Sequence, residues 1–240
     1  MAQRRDLPYT TIGAAIPCVA GWVVLPGRML GATILAEEPF TEKAFVDVLD
    51  HKPDFSSLVV GCPLAFPDRS VAGRRAAERA AAESLGWPRR LSVEPVPSRA
   101  AVLAPSFEAA QAIEPWLTRL AYRRFRYYRE VEQEIQLFHQ RKVFAASPEL
   151  TFQMLNGDQP LTSSRHTIEG QRDRLRLVED RMPGITLTVN EARPKGVGFR
   201  NLVDAAGLLW TARRIGGRVL SRVPSDPEWN DFGLRMEYLR

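Results

Sequence analysis

A chain of 240 residues that is 45% hydrophobic and 25% charged has the apolar material for one sizeable core, which excludes a disordered or fibrous chain. A formal charge of +5 permits a polyanionic partner without demanding one, although 29 of the 33 cationic side chains are Arg, the better fork for phosphate. Cys18 and Cys62 each sit inside an apolar run, with no Cys-x-x-Cys or Cys/His cluster, which excludes a structural zinc site and suits a reducing cytoplasm. The Arg excess has a second source, since a GC-rich coding sequence also yields abundant Ala, Pro and Arg.

Arg4 and Arg5 precede an apolar run over 12–25, the outline of a secretory leader. Pro17 and Gly21 interrupt that run, Asp6 sits in the basic stretch, and the run is too short to span a bilayer. Strands are therefore expected there. Residues 10–16, 19–26 and 29–36 are short segments rich in Val, Ile, Leu and Thr, separated by Gly and Pro, and predict three antiparallel strands. Residues 41–52 predict a helix with Thr41 as N-cap and Ala44, Phe45, Val48 and Leu49 on one face. Residues 56–64, apolar without alternation, predict a central strand covered on both faces.

Residues 69–86 predict an Ala-rich helix closed by Gly86 and Pro88. Residues 87–115 carry many Pro and little period, and are expected to form a long loop or insertion. Residues 116–138 predict the longest helix, with Leu117, Leu120, Phe125, Tyr128, Val131, Ile135 and Phe138 as its stripe. A strand over 141–147, helices over 167–182 and 199–217, and a final strand over 233–239 complete the series. With no clean linker, the whole chain, 1–240, is expected to be one α/β domain. Its mixed sheet would place three antiparallel strands before parallel ones, flanked by helices.

Residues 122–129 interleave four Arg with four aromatics. One reading is a stacking and phosphate-binding face carrying Arg123, Arg126 and Arg129 beside Arg124. The other is an amphipathic helix with Phe125 and Tyr128 packed inward and its Arg paired to acids such as Glu130. His139 and His166 have no partner at metal or triad spacing. The glycines at 196–198 and 215–217 lack the strand-then-helix context of a nucleotide loop.

Six blocks occur in order: AAIPCVAGWVV (14–24), GCPLAFPD (61–68), SPELTF (147–152), SSRHTIEGQRDRL (163–175), NLVDAAGLLWTARR (201–214) and DPEWNDFGLRMEYL (226–239). Together they resemble a domain-of-unknown-function family described as predicted RNase H-like nucleases. The resemblance implies an RNase H-like fold and a divalent-metal centre built from acids. It also implies that this chain departs from that centre. Alignment on Cys18 and Trp22 puts Ile16 in an Asp position, and Gly61 takes another. Ala145 and Ser147 replace a Glu and a His, and Arg200 and Asn201 replace a pair of Asp. Asp68, Glu149, Glu169 and Asp204 are the acids kept inside matched blocks, and Arg165 and His166 stand where the family carries a basic pair.

Three functions follow as expectations. The first is a catalytically degenerate binding module or partner subunit, with nucleic acid, another protein or a second copy of the chain as partner. Its contacts would be Arg123, Arg126, Arg129, Arg165 and Arg200, and it would need no cofactor or metal. The second is a Mg²⁺- or Mn²⁺-dependent nuclease on a rearranged site of Glu149, Asp204 and Asp68. The third is a structural component of a larger assembly. No membrane partner is expected, and the location expected is cytoplasmic.

Overall fold

The computed structural model describes residues 9–71 and 73–240. Its main sheet opens with β1 (Thr10–Cys18), β2 (Gly21–Leu30) and β3 (Thr33–Ala36), each antiparallel to the one before, as the meander predicts. A short β4 (Phe40–Glu42) pairs with the start of β2. Thr41 lies in that strand rather than at an N-cap, and helix α1 is only Phe45–Leu49. Strand β5 (Ser57–Val60) then pairs parallel to β1, and all four of its residues are buried, as an apolar run without alternation requires.

Helix α2 (Ala76–Leu85) ends at Gly86, which has positive φ. The segment 87–115 is more ordered than its Pro content suggests. It holds a 3₁₀ turn at Arg89–Ser92, α3 (Arg99–Val102) and α4 (Phe107–Ile113), the last capped by the Ser106 side chain. The single helix expected over 116–138 is three pieces: α5 (Arg119–Tyr122), α6 (Phe125–Glu134) and a 3₁₀ turn at Leu137–Arg141. The apolar stripe explains the break. Its one five-residue step, Leu120 to Phe125, falls where α5 gives way to α6. Leu120 and Phe138 are exposed, while Phe125, Tyr128 and Val131 are buried.

Strand β6 (Val143–Ala145) pairs parallel to β5, giving the order β3-β2-β1-β5-β6 with β4 beside β2. Pro148 starts α7 (Pro148–Leu155) at its first helical position, so Glu149 belongs to a helix rather than to a strand end. Helices α8 (Ile168–Glu179), α9 (Ile185–Glu191) and α10 (Phe199–Gly216) follow. Finally β7 (Arg222–Trp229) and β8 (Arg235–Leu239) form a separate two-stranded ribbon. Neither α9 nor β7 is apparent in the sequence.

Successive side chains of β1 point to opposite faces, so the sheet feeds two cores. Ala15, Trp22, Val24 and Val60 pack with α1, α2 and α6. Ile12, Ala14, Ile16 and Val59 pack with α7, α8 and α10. Glu130 of α6 accepts hydrogen bonds from Trp22 Nε1 at 2.7 Å and the Phe45 N–H at 2.9 Å, tying α6 to the sheet. Among the described residues, no helix is long and apolar enough to cross a membrane.

Candidate functional site

In an open sheet, the loops beyond the carboxyl ends of parallel strands leave a crevice. Here that crevice is a cleft of about 340 Å³. Its floor is Ile16 near the end of β1, Gly61 just after β5, and the Ala146–Pro148 step into α7. The first turns of α10 contribute Arg200, Asn201 and Asp204, and the loop before α8 contributes Arg165 and His166. Residues 91–94 and Val96 wall one side, with Arg124, Tyr127 and Tyr128 of the α5–α6 region.

Most of the positions where the blocks depart from the expected acids and histidine thus come together in space. Ile16, Gly61, Ser147, Arg200 and Asn201 all line the cleft. Ala145 does not; it is buried in the core on the other face, and Ala146 takes the lining position. A Cβ on Gly61 would overlap Ile16 Cδ1, so the isoleucine fills the space a side chain at 61 would need.

The kept acids are held by arginines. Glu149 is buried and accepts two hydrogen bonds from Arg174 Nη2, at 3.0 and 2.8 Å. Arg174, only 1% exposed, also donates through Nη1 to the Ser163 and Gly170 carbonyls. Asp204, likewise 1% exposed, lies 2.8 Å from Arg165 Nη2, yet neither of its oxygens receives a well-aligned hydrogen bond from the described residues. Burial pushes its carboxyl above the usual range, against the pull of Arg165.

Arg200 sits one helical turn before Asp204 on the same face of α10. It makes no ion pair among the described residues. Its Nη1 lies 2.8 Å from His166 Nδ1, which must then be the acceptor, leaving the proton on Nε2. Burial, and then the Arg200 and Arg165 charges, push the His166 imidazolium down from its ordinary value. Arg124 is neutralised by a two-pronged contact with Glu94. With Arg165 balanced by Asp204 and Arg124 by Glu94, Arg200 is, among the described residues, the arginine of the cleft without a carboxylate partner.

The remaining candidates lie apart. Arg123 is exposed and absent from the cleft lining. Arg126 donates to the Cys18 carbonyl at 3.0 Å. Arg129 donates to the Val102 and Ala104 carbonyls at 2.8 and 2.9 Å. Phe125 and Tyr128 are buried beneath them. Asp68 accepts the Asp231 N–H at 2.7 Å, Glu169 is exposed in the first turn of α8, and His139 caps its own turn by accepting the Gln136 N–H. Among the described residues, no group of three or more His, Cys, Asp or Glu is gathered to hold a metal ion. Arg174 and Glu94 had no signal in the sequence, because their partners Glu149 and Arg124 lie 25 and 30 residues away.

A larger hollow of about 690 Å³ lies between the Leu137–Arg141 turn and the ribbon, lined by Ile135, Leu137, Phe138, Phe232 and Leu234. Its Arg99 is paired with Glu132, and its other cation, Arg141, is exposed to solvent, so its lining is mainly apolar around one paired and one solvated charge. The family model described as "Protein of unknown function (DUF429)" matches residues 13–229. The chain belongs to the DUF429 family. That match takes in every cleft residue named above. No curated protein and no solved structure matches the chain.

Proposed function

We propose that this DUF429 chain is a non-catalytic binding module of RNase H-like architecture, and that its cleft receives a phosphate of nucleic acid. Support for the architecture is the strand order, with an antiparallel meander leading into parallel β5 and β6. The observation that carries the function is Arg200, a cation without a carboxylate partner among the described residues, at the mouth of α10, where the resemblance implies an acid. The nearby helix start adds the partial positive charge of its backbone N–H groups.

The residues present do not fit a two-metal centre. Mg²⁺ takes hard oxygen ligands in octahedral geometry. Ile16 and Ala146 offer no ligand, Gly61 has no side chain, and Glu149 is held by Arg174. Asp204 faces Arg165.

The test is titration of a fluorescent single-stranded oligonucleotide at low salt. Arg200→Glu should weaken binding about tenfold or more, since a charge-assisted hydrogen bond is lost and a repulsion added. The slope of log affinity against log salt should fall by about 0.7, one phosphate contact on a single strand. Arg181→Glu, exposed beyond the far end of α8, should stay within about twofold of the parent. Equal effects would remove the cleft as contact surface. Mg²⁺-dependent cleavage that disappears in Glu149→Ala or Asp204→Ala would overturn the non-catalytic reading.

A further inference from the structure

The least expected group in a basic cleft is Asp204. It is 1% exposed, lines the cleft, and has two buried oxygens without a well-aligned donor among the described residues. Arg165 Nη2 is 2.8 Å from one of them, and Arg200 stands one turn away on the same helix. Arg165 Nε and Arg200 Nε are also buried without acceptors. Unpartnered guanidinium Nε atoms recur elsewhere, at Arg74, Arg89 and Arg174, but among the described residues Asp204 is the one buried carboxylate with both oxygens in this state, and a carboxylate so placed has room for a partner. The partner must satisfy guanidinium donors and a carboxylate at one point. A plain anion satisfies the donors and repels the carboxylate.

We propose that the floor of this cleft takes a terminal phosphate, a phosphomonoester whose remaining proton is shared with Asp204 while its other oxygens accept from Arg165 and Arg200. This rests on the reading of the cleft as a phosphate site and specifies which phosphate. A phosphomonoester has its second pKa near about 6, so close to neutrality it still has a proton to give. Together the phosphate and Asp204 hold one proton, either as phosphate monoanion with carboxylate or as dianion with carboxylic acid. An internal phosphodiester has no second proton, and sets an anion directly against the carboxylate. Size points the same way, because about 340 Å³ lies at the lower end of small-ligand pockets and suits a strand end or one nucleotide.

The shared chemistry can come from a mononucleotide or from the 5′ end of a strand. Calorimetric titration at pH 6.5 with sodium phosphate and sodium sulfate, at matched ionic strength, tests the proton. Sulfate has the charge and shape but no proton. Phosphate should bind about a hundredfold tighter, because a site built around a donated hydrogen rejects the analogue that lacks it. Asp204→Asn should remove that preference while keeping sulfate binding, which also reports an intact fold. Should that variant not fold, the parent's phosphate-to-sulfate ratio still decides.

AMP and matched 5′-phosphorylated and 5′-hydroxyl oligonucleotides then separate the sources. A preference for the phosphorylated strand assigns the strand end, and AMP binding without it assigns the mononucleotide. Equal affinity for phosphate and sulfate, with no effect of the 5′ phosphate, overturns the terminal-phosphate proposal. In that event Arg200-dependent binding of the hydroxyl strand would leave the basic-cleft reading standing. Absence of any binding would remove both.

Discussion

Glu149 and Arg174 are separated by 25 residues and buried against each other. Breaking such a pair by removing one member leaves a charge in a medium that cannot solvate it, at about 3–5 kcal/mol. Arg174→Met should therefore lower the denaturant midpoint sharply. Glu149→Leu with Arg174→Met should recover much of that loss, since an apolar pair of similar volume suits the site. The recovery should stop short, because the Ser163 and Gly170 carbonyls also lose their donor. Denaturant melts of the two single variants and the double one measure the coupling. Sequence presents Glu149 as a metal ligand, because an acid in a matched block is visible and a partner 25 residues away is not. The same limit hides the Glu94 partner of Arg124 and the Glu132 partner of Arg99.

At the scale of elements, the legible parts are those whose local chemistry agrees with their packing. The meander and β5 follow from Val/Ile runs punctuated by Gly and Pro. The start of α8 follows from Thr167, whose hydroxyl accepts the Gly170 N–H at 3.1 Å. Strand β7 carries Pro224 and Pro227, which argue against a strand, yet it lies in a two-stranded ribbon where missing donors cost little. The 163–167 loop that carries Arg165 and His166 passes so close to α8 that a Cβ on Gly170 would overlap the Ser164 carbonyl. Gly170→Ala should shift that loop, and anion affinity at the cleft should fall more than stability does, as titration beside thermal melts would record. The ends of β1 and β5 are matched in the same way. Gly61→Asp, which restores an acid implied by the resemblance, should cost about 1–3 kcal/mol by overpacking Ile16. Adding Ile16→Ala should return part of it. Equal melting points for parent and Gly61→Asp would show that Ile16 moves aside freely.

Across the whole molecule, the cleft sets two groups against each other as pH changes. Asp204 is raised above its unfolded value of 3.8, chiefly by burial, so the folded chain holds its proton more tightly. That contribution to stability is complete below 3.8 and is lost as pH rises through the folded value. His166 is lowered from 6.5, first by burial and then by Arg200 and Arg165, with Glu149 opposing and Arg174 adding to the depression. Its contribution is complete above 6.5 and is lost as pH falls through the folded value. His139 is lowered too, by burial and Lys142, so the parent's loss below 6.5 has two histidine sources. His166→Gln isolates one of them. The amide oxygen of Gln can still accept from Arg200, and the side chain takes no proton in this range. Melting temperatures from pH 7.5 to 5.0 should fall less steeply in His166→Gln than in the parent, with the curves meeting above 6.5. Parallel curves would mean that the bond between Arg200 and the neutral imidazole is not maintained in solution. Protonation of His166 also ends its role as acceptor, because both ring nitrogens then donate. Arg200 would be released towards the cleft as pH falls. Anion affinity of the parent should therefore rise as pH falls below 6.5, where His166 takes its proton, and His166→Gln should flatten that rise.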